Sequence, residues 1–405
     1  AQAAGAVENP LKLGGSTPTA GAPMQGFRVA PMDKVRVGFV GVGTRGASSV
    51  RRVAMIPGCE VTAVCDFFQD RVDASVDWLV KNGYPKPAGY SGEEGWKALC
   101  ESDKVDVVYC ISSWYLHAPL GLYAMKCGKH YLTDVPGVQT VEDGWAMVEA
   151  AEKYRRHCMM LENCCYGETE LLALNMCRKG VLGSLVYGEA GYLHTIATDN
   201  FSRFRAEWYQ EHRGNFYPTH GLGPIAQYMN VNRGDRFDYL NSMEGASVGD
   251  LIREGDPRWD GKYIDEYRKF VTGAYNTSLV RTANGKVILL NLSCHAPHPY
   301  SRMNTIQGTH GILMDYPLRI DVEDTPGSGP HEFDEKRTAE LREKYRHPMW
   351  KLVGDIAKKV GGHGGMDFIM DLRWAWCLQN GEPLDMDVYD LAATSCLCEL
   401  TETSD

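Results

Sequence analysis

Three glycines and one aspartate have the types and spacing needed to bind a dinucleotide. Gly41, Gly43 and Gly46 form G-x-G-x-x-G directly after the apolar run Val35–Val40. Gly41 permits a tight turn, Gly43 lets the backbone approach a diphosphate, and Gly46 lets a helix pack closely on a strand. Asp66 ends the next apolar run, where a carboxylate accepts hydrogen bonds from ribose hydroxyls. The pattern predicts a nicotinamide dinucleotide site, and Asp66 favours NAD because a carboxylate disfavours a 2′-phosphate.

Residues near this turn extend the predicted cofactor site. Thr44 and Arg45 lie inside the motif, where a helix begins and its free N–H groups favour an anion. Arg45 leaves NADP open, because an arginine at this place can also meet a phosphate. Ser112 and His117 follow another predicted strand end and are candidate cofactor contacts. Each is equally well explained as a helix cap or a packed loop residue.

Alternating strands and helices must position this site. Apolar runs predict strands at 35–40, 61–65, 105–111, 130–133 and 159–162. Helical patterns between them fall at 46–56, 70–82, 92–101, 116–126 and 141–157. Strands that alternate with helices form a parallel sheet, so residues 35–160 are predicted to be a doubly wound Rossmann domain of the α/β class.

The second half has a different pattern. Strands are predicted at 185–194, 276–282 and 287–295, and Asn284-Gly285 joins the last two as a type I′ hairpin. A polar segment, 233–270, interrupts this sheet, and helices at 350–359, 367–379 and 389–400 close the chain. Residues 161–405 are therefore predicted to be an α+β substrate and oligomerisation domain with a large, mainly antiparallel sheet. Residues 1–34 lack periodicity, which predicts an extended arm.

Composition narrows the class of function. The chain has 405 residues, 44% of them hydrophobic, and a formal charge of −10, which argues for more than one domain and against nucleic-acid binding. No apolar stretch approaches the roughly 20 residues of a membrane span. The thirteen cysteines are odd in number and lack C-x-x-C spacing, so neither a zinc cage nor a disulfide framework is expected, and we predict no metal site.

The opening residues suggest where the protein works. The chain starts at Ala1 with a run of small residues that is typical of what remains after an export signal is removed. We therefore expect a periplasmic or secreted protein, exported already folded around its cofactor. The expected partner is a small molecule, and a sheet-rich half of this kind favours a homo-oligomer.

Several motifs resemble the Gfo/Idh/MocA oxidoreductase family. They are LHAP at 116–119, AMKCGKH at 124–130 and TDVPG at 133–137, together with the Rossmann start. In that family the last motif normally reads Glu-Lys-Pro, and its lysine assists hydride transfer at a sugar hydroxyl. Here Asp134 replaces the glutamate, as a cofactor contact, and Val135 replaces the lysine. The resemblance therefore implies the family fold and an activity other than ordinary sugar dehydrogenation.

The second half resembles glycoside hydrolase family 109 more specifically. The motifs GNFYPTHGLGP at 214–224 and NRGDR at 232–236 carry the similarity, which spans the chain from Val35 onward. LENCCY at 161–166, YLH at 192–194 and HPY at 298–300 fall in the family's order, whereas residues 195–199 depart from it. Family members are NAD-dependent and retaining, and are largely α-N-acetylgalactosaminidases. The pocket residues implied by the match are Glu162, Tyr192, His194, Tyr217, His220 and Tyr300.

The resemblance implies a redox route to hydrolysis. C3 of the sugar is oxidised, the C2 proton leaves, the C1 glycosidic oxygen is expelled, water adds and C3 is reduced again. His220 is the expected partner of the C3 hydroxyl, and either Tyr192 or His194 handles the C2 proton. Tyr217 and Tyr300 are expected to bind the sugar. Glu162 either accepts from a substrate hydroxyl or orients the nicotinamide carboxamide.

Two other functions remain open at this point. One is an NAD-dependent sugar or cyclitol dehydrogenase, for which the fold alone argues. The other is a non-catalytic sugar-binding member that keeps the pocket. The exact sugar, its anomer and the aglycone are not specified by these residues.

Overall fold

The computed structural model describes residues 22–195, 203–253, 264–325, 329 and 332–404. The first 21 residues of the predicted arm lie outside this range. So do residues 196–199, which depart from the family pattern, and residues 254–263 of the predicted polar segment.

The first half forms a six-stranded parallel sheet with the strand order β3-β2-β1-β4-β5-β6. Its apolar runs are buried because helices cover both faces. The order reverses between β1 and β4, and in open sheets a ligand crevice forms outside the strand ends at such a point. The strands are β1 Val35–Val40, β2 Cys59–Asp66, β3 Ala88–Ser91, β4 Val107–Cys110, β5 His130–Thr133 and β6 Cys158–Met160. The helices are α1 Thr44–Ala54, α2 Gln69–Lys81, α3 Gly95–Glu101, α4 Trp114–Lys126 and α5 Val141–Tyr154.

The second half is built on a seven-stranded sheet with the order β13-β12-β11-β7-β10-β9-β8. β7 and β10 run parallel, and the other pairs are antiparallel. The strands are β7 Leu185–Leu193, β8 Phe237–Glu244, β9 Asn276–Thr282, β10 Val287–Ser293, β11 Thr305–Gly308, β12 Gly311–Met314 and β13 Arg319–Val322. The predicted fold class, a Rossmann sheet followed by an α+β half with a mainly antiparallel sheet, is confirmed.

Helices follow β6 and surround the second sheet, after a short 3-10 helix at Asn163–Tyr166. Those before β9 are α6 Glu168–Arg178, α7 Arg203–Glu211, α8 Thr219–Tyr228, α9 Val248–Leu251 and α10 Ile264–Tyr267. Those after β13 are α11 Glu335–Tyr345, α12 Pro348–Val360, α13 Met366–Asn380, α14 Val388–Ser395 and α15 Leu397–Ser404. Among the described helices, none has both the length and the apolar character that crossing a membrane requires.

The sequence analysis did not predict strands β11 to β13 or helices α6 to α11. Three further elements differ from what the patterns indicated. β3 was missed because its four residues alternate between half-buried and exposed at the sheet edge. β8 lies inside the segment predicted to interrupt the second sheet, and it pairs with β9 as an edge strand whose outer face carries Tyr239 and Met243. The last predicted helix is two helices, α14 and α15, which meet at Cys396.

Residues 22–34 contain no helix or strand, as predicted for an arm, but they pack on their own chain. Met24 is buried, and its backbone N–H donates to the Tyr389 hydroxyl at 3.0 Å. The rings of Phe27 and His157 lie 4.8 Å apart. This part of the arm therefore joins α14 to the Rossmann domain.

Candidate active site

A cavity of about 990 Å³ opens where the carboxyl end of the parallel sheet meets the second sheet. It brings together most of the side chains predicted from sequence. The dinucleotide half contributes Gly43, Thr44, Arg45, Gly46, Ser112 and Asp134. The second half contributes Tyr192, His194, Tyr217, His220 and Tyr300.

The glycine turn has the shape that a diphosphate requires. Gly41 has φ +87°, and a Cβ there would lie 2.0 Å from the Ile111 carbonyl oxygen. A Cβ on Gly46 would lie 1.9 Å from the Gly41 carbonyl oxygen. Around Gly43, by contrast, the nearest atom to a built Cβ is Nη1 of Arg71 at 3.5 Å, so the space above this residue is open. Two glycines thus close the turn and the third leaves room for a ligand.

The start of α1 supplies donors to that space. Gly43 is its N-cap and makes no side-chain hydrogen bond, and the first turn carries no acidic residue. The N–H of Ala47 bonds to the Gly43 carbonyl at 2.8 Å, so the preceding N–H groups point out of the helix end. Asp66 accepts from the Val42 N–H at 2.9 Å, which places its carboxylate beside the turn. The other oxygen of Asp66 accepts from the Phe68 N–H at 3.1 Å and lies 3.5 Å from Nη1 of Arg71, so this carboxylate is buried behind the turn and does not line the cavity. The turn itself fits the diphosphate of a nicotinamide dinucleotide.

Arg45 and Asp134 form a paired bridge across the cavity wall. Nε and Nη2 of Arg45 donate to the two carboxylate oxygens of Asp134 at 2.8 and 2.9 Å. Burial opposes ionisation of Asp134, but Arg45 lowers the pKa of this carboxyl below its ordinary value. Val135, which follows Asp134, is buried. The carboxylate of Asp134, just after β5, is thus held in an ion pair with Arg45, and the side chain of Val135 cannot donate or accept a proton.

His220 forms a hydrogen-bonded pair with a buried carboxylate at another part of the cavity wall. Its Nδ1 lies 2.6 Å from Oε1 of Glu162, which also accepts from the Cys164 N–H at 3.1 Å. Burial opposes ionisation of Glu162, yet His220 and the hydrogen bonds around it lower the pKa of the carboxyl. Because the carboxylate accepts at Nδ1, the other ring nitrogen, Nε2, is the one available to a ligand.

Glycines in α8 set the position of this pair. A Cβ on Gly221 would lie 2.2 Å from the backbone nitrogen of Gly191 in β7, so the helix rests directly on the strand. A Cβ on Gly223 would lie 2.8 Å from Cγ of Glu162. This close packing brings the His220 ring to 5.1 Å from the Tyr192 ring, between centroids.

Aromatic rings line the part of the cavity wall that the second half contributes. The Tyr192 ring lies 5.2 Å from Tyr217, 5.9 Å from Tyr300 and 6.1 Å from His194. Burial raises the pKa of Tyr192 and of Tyr217 well above the ordinary value, and raises the pKa of Tyr300 to about 12. Arg302 donates to the Tyr300 hydroxyl at 2.6 Å. All three phenols are therefore protonated at neutral pH, and the hydroxyl of Tyr300 is oriented so that its own proton can be donated elsewhere.

Two predicted residues occupy different places from those expected. Glu162 is fully buried behind His220 and does not line the cavity, so its partner is the histidine rather than a substrate hydroxyl or the carboxamide. His117 is also buried. Its Nδ1 lies 2.8 Å from the Pro136 carbonyl and its Nε2 lies 3.3 Å from the Ser112 carbonyl, so it braces the two strand ends rather than contacting a cofactor.

The cavity also contains polar residues that the sequence analysis missed. Arg205 lies over the Trp114 ring at 5.5 Å, and Arg302 pairs with the buried Glu170. A further group comprises Asn163, His363 and Asp367. The run G-G-H-G-G at 361–365 was the available signal for this last group, because glycines that flank one polar residue often mark a close approach to a ligand.

One trio of described residues has the composition of a metal site. Glu162, Cys164 and His220 place possible ligand atoms within 4.8 Å of one another. The His220 nitrogen and the Glu162 oxygen are, however, only 2.6 Å apart, which is a hydrogen-bond distance. Two ligands that each lie about 2.0 Å from a zinc ion in a tetrahedral site are farther apart than this. The geometry is that of a carboxylate–histidine pair.

Comparison with sequence families divides the chain into the same two halves. Residues 35–162 match the model described as an oxidoreductase family with an NAD-binding Rossmann fold. Residues 166–405 match the model described as the glycosyl hydrolase 109 C-terminal domain.

Curated proteins match over nearly the full chain. A glycosyl hydrolase family 109 protein of Shewanella pealeana is 41% identical over 397 residues, covering 96% of this chain and 86% of that protein. A protein of Shewanella oneidensis named alpha-N-acetylgalactosaminidase is 41% identical over 395 residues, with the same two coverages.

Solved structures share the fold at low identity. A levoglucosan dehydrogenase in complex with NADH and levoglucosan has a TM-score of 0.68 and 17% identity, covering 92% of this chain and 97% of that chain. A scyllo-inositol dehydrogenase from Lactobacillus casei has a TM-score of 0.63 and 14% identity, covering 93% and 98%. At these identities the likeness supports the fold alone.

Proposed function

Because the chain belongs to glycosyl hydrolase family 109, we propose that it is an NAD-dependent retaining glycosidase that removes terminal α-N-acetylgalactosamine. The observation that carries the proposal is the Glu162–His220 pair, which faces the same cavity as the glycine turn. A dinucleotide and a sugar held in this cavity would meet beside a histidine that can exchange protons. The name of the Shewanella oneidensis relative supports the choice of sugar.

The cofactor and the protein divide the chemistry. When bound, an oxidised nicotinamide dinucleotide supplies a reversible acceptor for the hydride at C3 of the sugar. His220 accepts the proton of the C3 hydroxyl at Nε2, while Glu162 holds Nδ1 and stabilises the positive charge that the ring acquires. The same ring returns the proton at the end of the cycle. A single acid–base group can therefore serve both the oxidation and the reduction of C3.

His194 and Tyr192 are assigned to the C2 proton and to a sugar oxygen. They are two residues apart in sequence, on and just beyond the end of β7, so both face the cavity. The raised pKa of Tyr192 keeps it protonated, which suits a donor better than a base. We therefore assign the removal of the C2 proton to His194. A ketone at C3 makes that proton acidic, and its loss expels the oxygen at C1.

Tyr217 and Tyr300 are assigned to binding. Their rings lie on the wall shared with Tyr192, where they can stack on the apolar face of a sugar. Since Arg302 already donates to the Tyr300 hydroxyl, that hydroxyl is left to donate to a substrate oxygen.

The test of this proposal separates it from a dehydrogenase. Purified protein, with no cofactor added, is expected to release nitrophenol from an aryl α-N-acetylgalactosaminide while the content of reduced nicotinamide stays constant. The chemistry restores the cofactor in each cycle, so turnover should far exceed the amount of bound dinucleotide. Reduced nicotinamide that accumulates in proportion to product would instead favour a sugar or cyclitol dehydrogenase. Saturable sugar binding without turnover would favour a non-catalytic role.

A further inference from the structure

The GGHGG loop, residues 361–365, has an unusual backbone. All five residues have positive φ, with values of 88°, 82°, 47°, 72° and 107° in sequence order. His363 is the one residue of the five with a side chain, and L-residues adopt this region at an energetic cost. A strained conformation of this kind persists only where the surroundings fix it, and such positions cluster at ligand clamps and active sites.

The surroundings that fix His363 are a buried carboxylate and an amide. Its Nδ1 lies 2.9 Å from Oδ2 of Asp367, and Nδ2 of Asn163 donates to Oδ1 of the same carboxylate at 2.6 Å. The Asp367 side chain is 3% exposed, whereas that of His363 is 53% exposed and lines the cavity. The carboxylate thus binds the Nδ1 proton and leaves Nε2 free for a ligand.

Asp367 is in turn anchored to the Rossmann domain. Nη1 of Arg52 in α1 lies 3.7 Å from Oδ2 of Asp367, and its Nε donates to Asp371 one turn further along α13 at 3.0 Å. Tyr109 at the end of β4 donates to the same Asp371 at 2.9 Å. The start of α13, and with it the GGHGG loop, is therefore held beside the helix that begins at the glycine turn.

This placement decides which ligand His363 faces. Ser48 and Arg52 of α1, the helix that begins at the glycine turn, line the same cavity as His363, and Arg52 approaches its partner Asp367. The sugar-facing rings come instead from β7, α8 and the segment around Tyr300. Glu162 and Asn163 are consecutive residues just after β6. Glu162 is paired with His220, and Asn163 donates to Asp367, the partner of His363, so this short segment contacts both carboxylate–histidine pairs.

We propose that His363, oriented by Asp367 and Asn163, binds the dinucleotide and retains it between turnovers. The inference rests on the proposed function, because a cycle that restores its cofactor gains nothing by releasing it. Hydrogen bonding at Nε2 adds one contact that must break before the dinucleotide leaves. The positive φ angles of the loop are then explained by its position: its backbone lies at the cavity wall, and only His363 presents a side chain to the ligand.

The experiment uses His363→Gly and measures cofactor exchange. Protein that has been purified with its dinucleotide is mixed with an excess of a fluorescent NAD analogue, and the rate at which bound NAD is displaced is followed. We expect displacement to be about tenfold faster in His363→Gly, which corresponds to the loss of one hydrogen bond. The melting temperature of the cofactor-free variant should stay close to that of the wild type, because relief of the positive-φ strain offsets the loss of the hydrogen bond to Asp367.

Two further variants keep the test decisive. His363→Asn places a residue that tolerates positive φ in the loop and removes Nε2, so it too should exchange faster while remaining folded. His310→Ala alters an exposed histidine in the turn between β11 and β12 and should exchange at the wild-type rate.

The inference is overturned if both His363 variants retain dinucleotide as long as the wild type does. It is also overturned if His310→Ala exchanges as fast as the two His363 variants, since the effect would then not be specific to the loop. The rate of dinucleotide exchange can be measured without any hydrolysis. A protein that holds NAD but cleaves no glycoside would contradict the proposed function, and the exchange rates of the His363 variants would still test the role of His363.

Discussion

At the scale of the residue, the account depends on how His220 is held. Glu162 is buried beneath it and its carboxylate accepts from the ring at 2.6 Å. The partner fixes the proton on Nδ1 and stabilises the ring when it is charged, so the effect of Glu162 on catalysis is exerted through the histidine.

Glu162→Gln should separate catalysis from binding. The amide keeps the shape of the side chain but loses the negative charge, and we expect kcat to fall by about 10²- to 10³-fold. The content of bound dinucleotide should stay at the wild-type level, as measured by mass spectrometry of denatured protein. Glu343→Gln, at an exposed glutamate in α11, is the matched control and should retain full activity. A kcat within a factor of about two of the wild type in Glu162→Gln would contradict the role given to this pair.

His194 and Tyr192 can be distinguished by exchange at C2. With substrate in deuterated water, His194→Asn should lose both hydrolysis and deuterium incorporation at C2, because the base is missing. Tyr192→Phe should be slower than the wild type by about 10- to 100-fold but should still incorporate deuterium, since a donor rather than the base is lost. The reverse pattern would show that the phenol, not the imidazole, removes the proton.

The sequence could predict which residues meet at the cavity but not what lies behind them. Ser112 was predictable because strand ends converge in open sheets, and Tyr192 and His220 were predictable from the motifs that carry the family resemblance. The burial of Glu162 and His117 was not predictable in this way. Their partners, His220 and Pro136, are 58 and 19 residues away, and such contacts depend on how the elements pack.

At the scale of the element, the contact between α8 and β7 positions the acid–base pair. Gly221 and Gly191 let the backbones approach so closely that a Cβ on Gly221 would overlap the strand. Sequence patterns predicted β7 but gave no sign that the GLG of the 214–224 motif is a packing surface as well as part of the site.

Gly221→Ala should therefore impair both stability and activity. The added methyl group must push α8 away from β7, which should lower the free energy of unfolding by about 1–3 kcal/mol and displace His220. Urea denaturation and the steady-state rate measure the two effects. Gly245→Ala is a suitable control, because a Cβ there would meet its nearest neighbour, the Tyr275 carbonyl oxygen, at an ordinary 3.5 Å. Unchanged activity in Gly221→Ala would contradict the positional role of this contact.

The start of α14 gives a prediction about pH. Burial and the neighbouring Asp390 raise the pKa of Asp387 to about 6, although its carboxylate caps the helix. The folded state therefore binds this proton more tightly than the unfolded chain, whose carboxyl has a pKa of about 3.9. The contribution of Asp387 to stability is most favourable below about pH 4 and is lost as the pH rises through 6.

Asp387→Asn should remove this pH dependence while keeping the cap. Asparagine caps helices as well as aspartate does, and it carries no charge to repel Asp390. Relative to the wild type, the variant should gain on the order of 1–3 kcal/mol between about pH 4 and pH 8. Denaturation curves at the two pH values measure the gain. A difference that is the same at both values would contradict the raised pKa.

Elements were predictable where burial is continuous and not where it is one-sided. Apart from β3, the strands of the parallel sheet are apolar runs, so their places were predicted closely. β8 is an edge strand in which half-buried and exposed residues interleave, and it is stabilised by pairing with β9 and by contact with α15. Strand structure of that kind depends on a partner strand that the local sequence does not specify.

At the scale of the whole molecule, the cavity joins two halves that are each incomplete. The Rossmann half supplies the glycine turn and the Arg45–Asp134 bridge, and the second half supplies His220 and the aromatic wall. Dinucleotide binding should therefore stabilise the molecule as one unit, and its melting temperature should rise with the concentration of dinucleotide.

Export and self-association of the protein remain proposals, which cell fractionation and light scattering would test directly.

The most direct test of the account is isotopic. Wild-type protein that carries only its co-purified dinucleotide is given an aryl α-N-acetylgalactosaminide in deuterated water, and the released sugar is examined by mass spectrometry and proton NMR. Transient oxidation at C3 predicts that the product carries deuterium at C2 and retains its original hydrogen at C3. Product that keeps its C2 hydrogen completely would contradict the redox route.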